Sequence, residues 1–302
     1  MVEEFNIEKK DIITITGVGG KTTLMFLLSG ELSKLGKVMV TTTTKIYIPE
    51  KSQFEKMYIS DEEITGENKN IFVVGKEKKD IITITGAGGK TTLMFLLSEE
   101  LSKLGKVMAT TTTKIYTPEK SQFEKMYIDN KEIIGENKNI FVVGKEIKDK
   151  KLIGLEYNEI ERLKKDFVYI LIEGDGSKEK LLKEWNEREP CIPNFSNVII
   201  GVINLDIIDL DLIEENIHRF ELFKERYPKF INKKGSFDFL KEYIKNGKFF
   251  GENKIAKKYI FLNGVDGEKK SKKEKIAKEL QEISKNEDFK IIYGSLKNYT
   301  AY

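Results

Sequence analysis

Short apolar runs rich in β-branched residues alternate along the chain with segments of helical hydrophobic spacing. Continuous apolar runs, which are typical of strands buried on both faces, occur at 166–172, 197–203, 259–262 and 289–293. The helical spacing predicts helices over 212–226, 237–244 and 272–284. This alternation predicts an α/β fold with a doubly wound, mostly parallel sheet and helices on both faces.

The hydrophobic pattern also repeats. Residues 11–77 (the first copy) recur as residues 80–146 (the second copy), and eight of the 67 aligned positions differ. Each copy predicts β-α-β, a polar stretch and a further strand; we expect the polar stretch 49–70 to be a loop with a short helix at most. Such identity indicates a duplicated half-domain rather than a solenoid. We therefore predict an extra, duplicated N-terminal half-domain at 1–78 and an α/β domain at 79–302.

Both copies carry Gly-x-Gly-Gly-Lys-Thr-Thr between the strand and the helix. Glycines let backbone N–H groups turn toward a phosphate, the helix N-terminus adds positive potential, and the lysine neutralises phosphate charge. A threonine hydroxyl is then available to Mg²⁺. The loop therefore predicts that the α/β fold is P-loop NTPase-like and that 79–302 is a P-loop α/β nucleotide-binding domain. The expected ligands are ATP or GTP with Mg²⁺. The candidate nucleotide-binding residues are Gly86, Gly88, Gly89, Lys90, Thr91 and Thr92 in the second copy, and Gly17, Gly19, Gly20, Lys21, Thr22 and Thr23 in the first.

This loop is shorter than the standard Walker sequence. The first glycine of that sequence is replaced by Ile15 in the first copy and by Ile84 in the second. The alternative to a phosphate loop is a glycine turn with a solvated lysine. The strand before each loop and the helix after it favour phosphate binding.

Only one copy can lie beside the strand at 167–172 and complete a nucleotide site. The second copy continues directly into the unrepeated half of the chain. The first copy has Gly30 inside its helix where the second has Glu99, which costs on the order of 1 kcal/mol. We therefore expect the second copy to form the working site. Exchange between the copies and swapping between chains stay open, as does the oligomeric state.

Two carboxylates follow the strand at 166–172. Glu173 and Asp175 lie at its carboxyl end, which is the edge where open α/β sheets bind ligands. We expect both to hold Mg²⁺ together with Thr91, and to act in catalysis with Lys90. The alternative is a polar turn after the strand.

Three more residues at predicted strand ends are candidates. Lys114 follows a threonine run and is the candidate cation for a transferring phosphate, although such runs are also common in strands. Asn263-Gly-Val-Asp266 resembles the Asn-Lys-x-Asp base-contacting motif of GTPases without its lysine, and 294–296 falls where the last motif of that class would lie. We include Asn263 and Asp266 among the nucleotide-binding candidates. A plain turn is an equally simple interpretation of both segments.

Composition narrows the class of protein. The chain has 302 residues, of which 52 are Lys or Arg and 49 are Asp or Glu. A net charge of +3 is too balanced for a dedicated nucleic-acid binder. The single cysteine, Cys191, leaves no internal disulfide and suggests a reducing compartment. An acidic N-terminus without a signal core and the absence of a membrane-length apolar run predict a cytoplasmic protein without membrane partners.

Taken together, several motifs resemble the YqeC family, described as accessory proteins of selenium-dependent hydroxylases. The motifs are the glycine loop, Thr110-Thr-Thr-Thr-Lys-Ile-Tyr116, Glu173-Gly-Asp-Gly-Ser-Lys178, Glu189-Pro-Cys-Ile-Pro193 and Glu215-Asn-Ile-His-Arg219. The resemblance implies a P-loop protein that serves the maturation of selenium-dependent molybdenum hydroxylases, with such a hydroxylase or its cofactor as a partner. Two positions depart from the family pattern: Arg188 replaces a His, and Phe220 replaces a Pro.

Three functions remain open at this point. The chain is an enzyme that hydrolyses a nucleoside triphosphate or transfers its phosphoryl group, with Lys90, Lys114, Glu173 and Asp175 in the reaction. Alternatively, it is a nucleotide-gated protein that docks on a hydroxylase or delivers its cofactor without turnover. In the third case, two nearly identical halves compete, and the chain binds nucleotide poorly.

Overall fold

The computed structural model describes residues 13, 21–34, 38–41, 56–59, 71–75, 79–128 and 140–302. The chain divides into two compact units, Met1–Lys78 and Lys79–Tyr302.

The first unit contains a helix and a three-stranded parallel sheet among its described residues. Phe26 of the helix and Val40 of the first strand are buried against each other, with Met25 and Val38 partly buried beside them. The sheet order is β1-β3-β2. The elements are α1 (Lys21–Leu32), β1 (Val38–Thr41), β2 (Lys56–Ile59) and β3 (Ile71–Gly75).

The second unit begins with the second copy and continues through the unrepeated half. Its strands are β4 (Asp80–Gly86), β5 (Val107–Thr111), β6 (Lys114–Tyr116), β7 (Lys125–Ile128), β8 (Ile140–Gly144), β9 (Glu146–Lys148), β10 (Lys151–Ile153), β11 (Tyr169–Glu173), β12 (Leu182–Lys183), β13 (Val198–Asn204), β14 (Ile217–His218), β15 (Lys257–Asn263), β16 (Phe289–Ser295) and β17 (Thr300–Ala301). Its helices are α2 (Lys90–Ser102), α3 (Tyr157–Leu163), α4 (Phe220–Arg226), α5 (Phe237–Asn246) and α6 (Lys270–Ile283).

Nine of the described strands form one sheet in the order β17-β16-β15-β13-β4-β11-β5-β8-β7. Only the pairing of β17 with β16 is antiparallel. Strand β4 of the second copy is central, with β11 on one side and β13 on the other. The carboxyl ends of β4, β11, β13 and β15 therefore lie along one edge of the sheet, where α/β proteins bind ligands.

Side chains of the central strands alternate between two hydrophobic clusters. Ile82 and Ile84 of β4 pack with Met94 of α2. Ile81, the residue before Ile82, packs in another cluster with Ile160 of α3. Because successive strand residues point to opposite faces, helices cover this part of the sheet on both sides. The α/β class and the mostly parallel sheet are confirmed.

Two predictions about elements were wrong. The polar stretch after the second strand contains a short edge strand in both copies, β2 and β7, whose Lys-Met-Tyr-Ile sequence is too short to show periodicity. The helix predicted over 212–226 begins at Phe220. Before it, β14 pairs with β12, and Arg219 adopts a left-handed conformation with φ 62°, which interrupts a helix. His218 therefore lies in a strand rather than in a helix.

Candidate functional site

The glycine loop of the second copy is a tight turn between β4 and α2. Gly86, Gly88 and Gly89 have φ of 92°, 75° and 136°. A Cβ at Gly86 would lie 2.2 Å from the Val202 carbonyl oxygen, and one at Gly89 would lie 2.8 Å from Asn263 Nδ2. Both positions therefore require glycine, for backbone conformation and for space.

The start of α2 presents a group of backbone donors. No side chain caps this helix end. The first N–H groups of a helix have no partner within it and attract anions. Outside the hydrogen bonds within α2 itself, no described residue accepts a hydrogen bond from the backbone N–H groups of Gly88, Gly89, Lys90, Thr91 and Thr92.

Lys90 is buried at the centre of this turn, with 3% of its surface exposed. Its Nζ donates to the Gly86 carbonyl at 2.8 Å and to Ser177 Oγ at 3.1 Å. It also lies 3.5 Å from Glu173 Oε1 and 3.4 Å from Asp175 Oδ1. The ammonium group is thus held between the loop and both candidate carboxylates.

Glu173 joins the end of β11 to the first turn of α2. Thr91 Oγ1 donates to Glu173 Oε2 at 2.6 Å. Burial raises the pKa of Glu173 above its ordinary value, and the charge of Asp175 acts in the same direction, while Lys90 and the Thr91 hydrogen bond oppose the rise. The Glu173 carboxylate is therefore buried, and its polar neighbours include the Thr91 hydroxyl and the Lys90 ammonium.

Asp175 is fully buried and holds the glycine turn through a hydrogen bond to its backbone. Its Oδ2 accepts hydrogen bonds from the Gly86 N–H at 3.1 Å and from Trp185 Nε1 at 2.7 Å. Lys183 Nζ lies 3.2 Å from the same oxygen. Asp175 Oδ1 accepts no hydrogen bond from the described residues, although Lys90 Nζ is 3.4 Å away. A buried carboxylate oxygen without a hydrogen bond is unusual and is more common at functional sites.

A second layer of charges, which the sequence did not predict, lies behind Asp175. Lys183 is fully buried and also contacts Glu189 at 3.2 Å, and Glu189 Oε2 accepts from Arg219 Nε at 2.9 Å. Charges therefore alternate from Lys90 through Asp175, Lys183 and Glu189 to Arg219, and we call this series of ion pairs the charge relay. Glu189 and Arg219 belong to motifs of the family resemblance, whereas no pattern in the sequence marks Lys183.

Glu189 also lines a surface groove of about 740 Å³. The other lining residues are Glu187, Arg188, Pro190, Ile192, Asn194, Lys248, Gly251, Glu252, Asn253, Lys254 and Ile255. The charge relay thus connects the glycine loop with a concave surface large enough for a ligand or a peptide segment.

The two candidates after β15 differ in what they contact. Asn263 Nδ2 donates to the Gly88 carbonyl at 2.9 Å, and its Oδ1 accepts from the Leu296 N–H at 3.1 Å. Asp266 accepts a hydrogen bond from Ser295 Oγ. Asn263 is thus a support for the glycine turn, whereas Asp266 is held by Ser295.

Other candidates are less directly placed. Lys114 is exposed in β6, three residues after Thr111, whose hydroxyl donates to the Glu173 carbonyl at 2.9 Å. Thr92 is exposed on the first turn of α2. In the first copy, Lys21 begins α1 and Thr22 and Thr23 are exposed, whereas Gly17, Gly19 and Gly20 lie outside the described residues.

Two features are absent from the described residues. No group of three or more His, Cys, Asp or Glu side chains in that part of the chain is arranged to hold a metal ion. No described helix combines the length and the apolar character that crossing a membrane requires.

Comparison with known proteins places the chain in a family. The model of the YqeC protein family matches residues 13–80 and 82–221. The chain therefore belongs to the YqeC family. Over 161 residues it is 30% identical to the uncharacterized protein YqeC of Escherichia coli (strain K12), a match that spans 50% of this chain and 62% of the relative. The chain thus covers less than two thirds of that relative's length. No solved structure matches.

Proposed function

We propose that this member of the YqeC family is a P-loop protein that binds a nucleoside triphosphate with Mg²⁺ at residues 86–92. The single observation that carries the proposal is the buried Lys90 ammonium between Glu173 and Asp175, at a glycine turn that opens a helix. Burying three charges is costly, and groups buried in this way are concentrated at functional sites. The helix N–H groups and Lys90 bind phosphate oxygens in this proposal.

The donor atoms fit a magnesium ion. Mg²⁺ prefers oxygen ligands at about 2.0–2.1 Å in octahedral geometry, and it commonly takes one or two protein ligands beside water and phosphate. Adjacent ligands of such an octahedron are about 2.9 Å apart, and Thr91 Oγ1 and Glu173 Oε2 are 2.6 Å apart. If the Thr91 hydroxyl turned its hydrogen away from Glu173, both oxygens could bind the ion after only a small separation. Asp175 is the second carboxylate within reach of Lys90. When bound, the ion would neutralise phosphate charge.

Within an enzymatic function, the chain's own groups have separate tasks. Lys90 neutralises phosphate charge, while Glu173 and Asp175 set its position. Lys114 is exposed near the end of β5, and we assign it to the transferring phosphate. The reaction is hydrolysis or phosphoryl transfer, for which positioning and charge neutralisation supply most of the catalysis.

The charge relay favours a nucleotide-gated function as the second candidate. Lys90 is held by the Gly86 carbonyl and Ser177, so a bound phosphate would compete for it. Asp175, Lys183 and Glu189 connect that lysine with the groove described above. Nucleotide binding would then alter the groove without turnover.

The cellular role that we propose is maturation of selenium-dependent molybdenum hydroxylases. It rests on the motifs that resemble the accessory proteins of those enzymes. The partner is such a hydroxylase or its cofactor. Phosphate release with and without a candidate hydroxylase separates the two activities: turnover by the chain alone indicates an enzyme, and tight binding without release in either condition indicates a gate.

Calorimetric titration of the purified chain with ATP and GTP in the presence of Mg²⁺ tests the binding itself. Lys90→Met retains the aliphatic stem and removes the charge, and Lys21→Met is the matched change in the first copy. We expect Lys90→Met to weaken binding at least about tenfold, since hydrogen bonds to charged groups contribute about 1.5–3 kcal/mol. Lys21→Met should leave the affinity unchanged.

Thermal unfolding of both variants controls for folding. The proposal fails if the folded wild-type chain binds neither nucleotide. If Lys21→Met abolishes binding and Lys90→Met does not, the working site is in the first copy.

A further inference from the structure

Lys183 is the buried cation at the middle of the charge relay. It belongs to β12, the two-residue strand that pairs with β14, and its side chain is 0% exposed. Its Nζ donates to the Gly176 carbonyl at 2.8 Å and to Glu189 Oε2 at 3.2 Å, and it lies 3.2 Å from Asp175 Oδ2. An ammonium group has three N–H donors. The surrounding oxygens therefore fix this cation between two carboxylates.

The two oxygens of Asp175 differ in their surroundings because of this contact. Oδ2 faces Lys183 and also accepts hydrogen bonds from the Gly86 N–H and from Trp185 Nε1. Oδ1 accepts no hydrogen bond from the described residues and lies 3.4 Å from Lys90 Nζ. The contacts at Oδ2 thus satisfy much of the charge of Asp175 without Lys90.

The ion pairs around the glycine turn form one connected set of three carboxylates and three cations, whose formal charges cancel. The members are Glu173, Asp175, Glu189, Lys90, Lys183 and Arg219. Four of the six are buried, so salt screens their charges weakly. Loss of the Lys183 charge would leave one negative charge in excess. A phosphate at the turn, itself an anion, would be repelled by that charge.

Asp175 would also compete with phosphate for Lys90. In the intact chain, Asp175 has Lys183 at Oδ2 and Lys90 near Oδ1. Without Lys183, Lys90 would be the one cation of the described residues within 4 Å of this carboxylate. A buried carboxylate that has lost one partner is stabilised strongly by any remaining cation. Lys90 would then be less available to phosphate.

We propose that Lys183 is a positioning residue of the phosphate site, whose charge holds Asp175 and thereby leaves Lys90 available to phosphate. This inference rests on the proposed function and names what regulates the affinity of that site, which is the charge balance of the connected set. Arg219 pairs with Glu189 at 2.9 Å and has 30% of its side chain exposed. The balance can therefore be altered from the surface at this ion pair.

Calorimetric titration of the full chain with ATP and with GTP, in Mg²⁺ and again in EDTA, tests the role of Lys183. Lys183→Met keeps the aliphatic stem. We expect it to weaken binding in EDTA at least about tenfold, the order of effect for a unit charge at an effective dielectric constant of about 20. In Mg²⁺ the loss should be about threefold or less, because the ion supplies positive charge at the site. A change in packing alone would weaken binding equally in both conditions.

Restoring the charge balance is the sharper test. Glu189→Gln removes one carboxylate, and it should strengthen binding in EDTA by about threefold, since Glu189 is partly exposed. The double variant Lys183→Met/Glu189→Gln again has equal numbers of positive and negative charges. It should bind within about threefold of the wild type in EDTA, because replacing both members of a buried ion pair leaves no unbalanced charge.

Two further variants complete the series. Arg219→Gln should weaken binding in EDTA less than Lys183→Met does, because solvent screens the partly exposed Arg219. Lys290→Met changes an exposed lysine of β16 and is the matched control for total charge. It should leave the affinity unchanged. Thermal unfolding establishes that each variant is folded.

Equal losses of affinity in Mg²⁺ and in EDTA for Lys183→Met would overturn the positioning role and leave the proposed function intact. A double variant that binds no better than Lys183→Met, or a Lys290→Met variant that loses as much, would overturn it as well. If Lys183→Met does not fold, the double variant decides, and a loss greater than about tenfold in EDTA contradicts the role. No binding of either nucleotide by the folded wild-type chain would overturn both proposals.

Discussion

The two copies of the repeat share nearly all of their residues and differ in what surrounds them. Both pair their strands in the same register: Val38 is opposite Ile71 in the first copy, and Val107 is opposite Ile140 in the second. In the second copy, β11 adds to the free side of β5 and also pairs with β4. The sequence of the repeat therefore suffices for the strand pairing within a half-domain. The candidate site needs β11 as well, because β11 carries Glu173.

One pair of equivalent methionines shows the difference in burial. Met39 is 61% exposed and Met108 is 0% exposed. Met108 packs with Phe141 and Ile170 in the cluster that the unrepeated half completes. The first threonine after the lysine of each glycine loop shows the same contrast. Thr22 is exposed, whereas Thr91 donates a hydrogen bond to Glu173.

Replacing these methionines should give the largest difference in stability. Met108→Ala removes a fully buried side chain and should lower the free energy of unfolding of the second unit by about 2–5 kcal/mol. Met39→Ala should cost no more than about 0.5 kcal/mol, because its side chain is already in solvent. Urea unfolding followed by the fluorescence of Trp185, the chain's single tryptophan, reports the second unit, and hydrogen exchange at 21–34 reports the first. Similar losses from both variants would contradict the comparison.

The next effect is a pH dependence confined to the second unit. Burial lowers the pKa of His218 to about 4, and the charges of Lys183 and Arg219 contribute. Folding thus favours the neutral imidazole. The contribution of His218 to the free energy of unfolding is therefore fully present above pH 6.5 and is lost as the pH falls toward 4. The shift corresponds to about 3 kcal/mol, which we reduce to about 1–2 kcal/mol because the side chain is half-exposed.

His218→Gln is the matched test, since His218 is the only histidine. Trp185 fluorescence should show a smaller loss of stability between pH 6.5 and 4 in this variant than in the wild type. An unchanged difference across that range would show that other groups cause the acid sensitivity.

The smallest effect concerns the helix position at which the copies differ. Gly30 lies inside α1 with no atom within 4 Å of the Cβ it lacks, while Glu99 is exposed at the equivalent place in α2. Gly30→Glu should stabilise the first unit and Glu99→Gly should destabilise the second, each by up to about 1 kcal/mol. Hydrogen exchange in α1 and Trp185 fluorescence measure the two changes. Opposite signs would show that tertiary contacts outweigh helix propensity here.

Much of the fold followed from local patterns in the chain. The continuous apolar runs predicted the buried parallel strands, because a strand covered on both faces needs apolar residues throughout. The Lys-Met-Tyr-Ile edge strands were missed because four residues carry little periodicity. The segment before Phe220 was assigned to a helix because its apolar spacing is helical. The pairing of β14 with β12 and the left-handed Arg219 depend on contacts that are distant in sequence.

By itself, the sequence determined the repeat, the strand–turn–helix around the glycine loop of the second copy and the residue types that we propose for phosphate and Mg²⁺, since these depend on spacing within a few residues. Tertiary structure alone decided which groups meet. Thr91 reaches Glu173 across 82 positions and Lys90 reaches Ser177 across 87, while Lys183 acquires its role only by being buried between Asp175 and Glu189. The physical reason is that burial and charge pairing depend on distance in space, and only the order of strands in the folded sheet sets that distance.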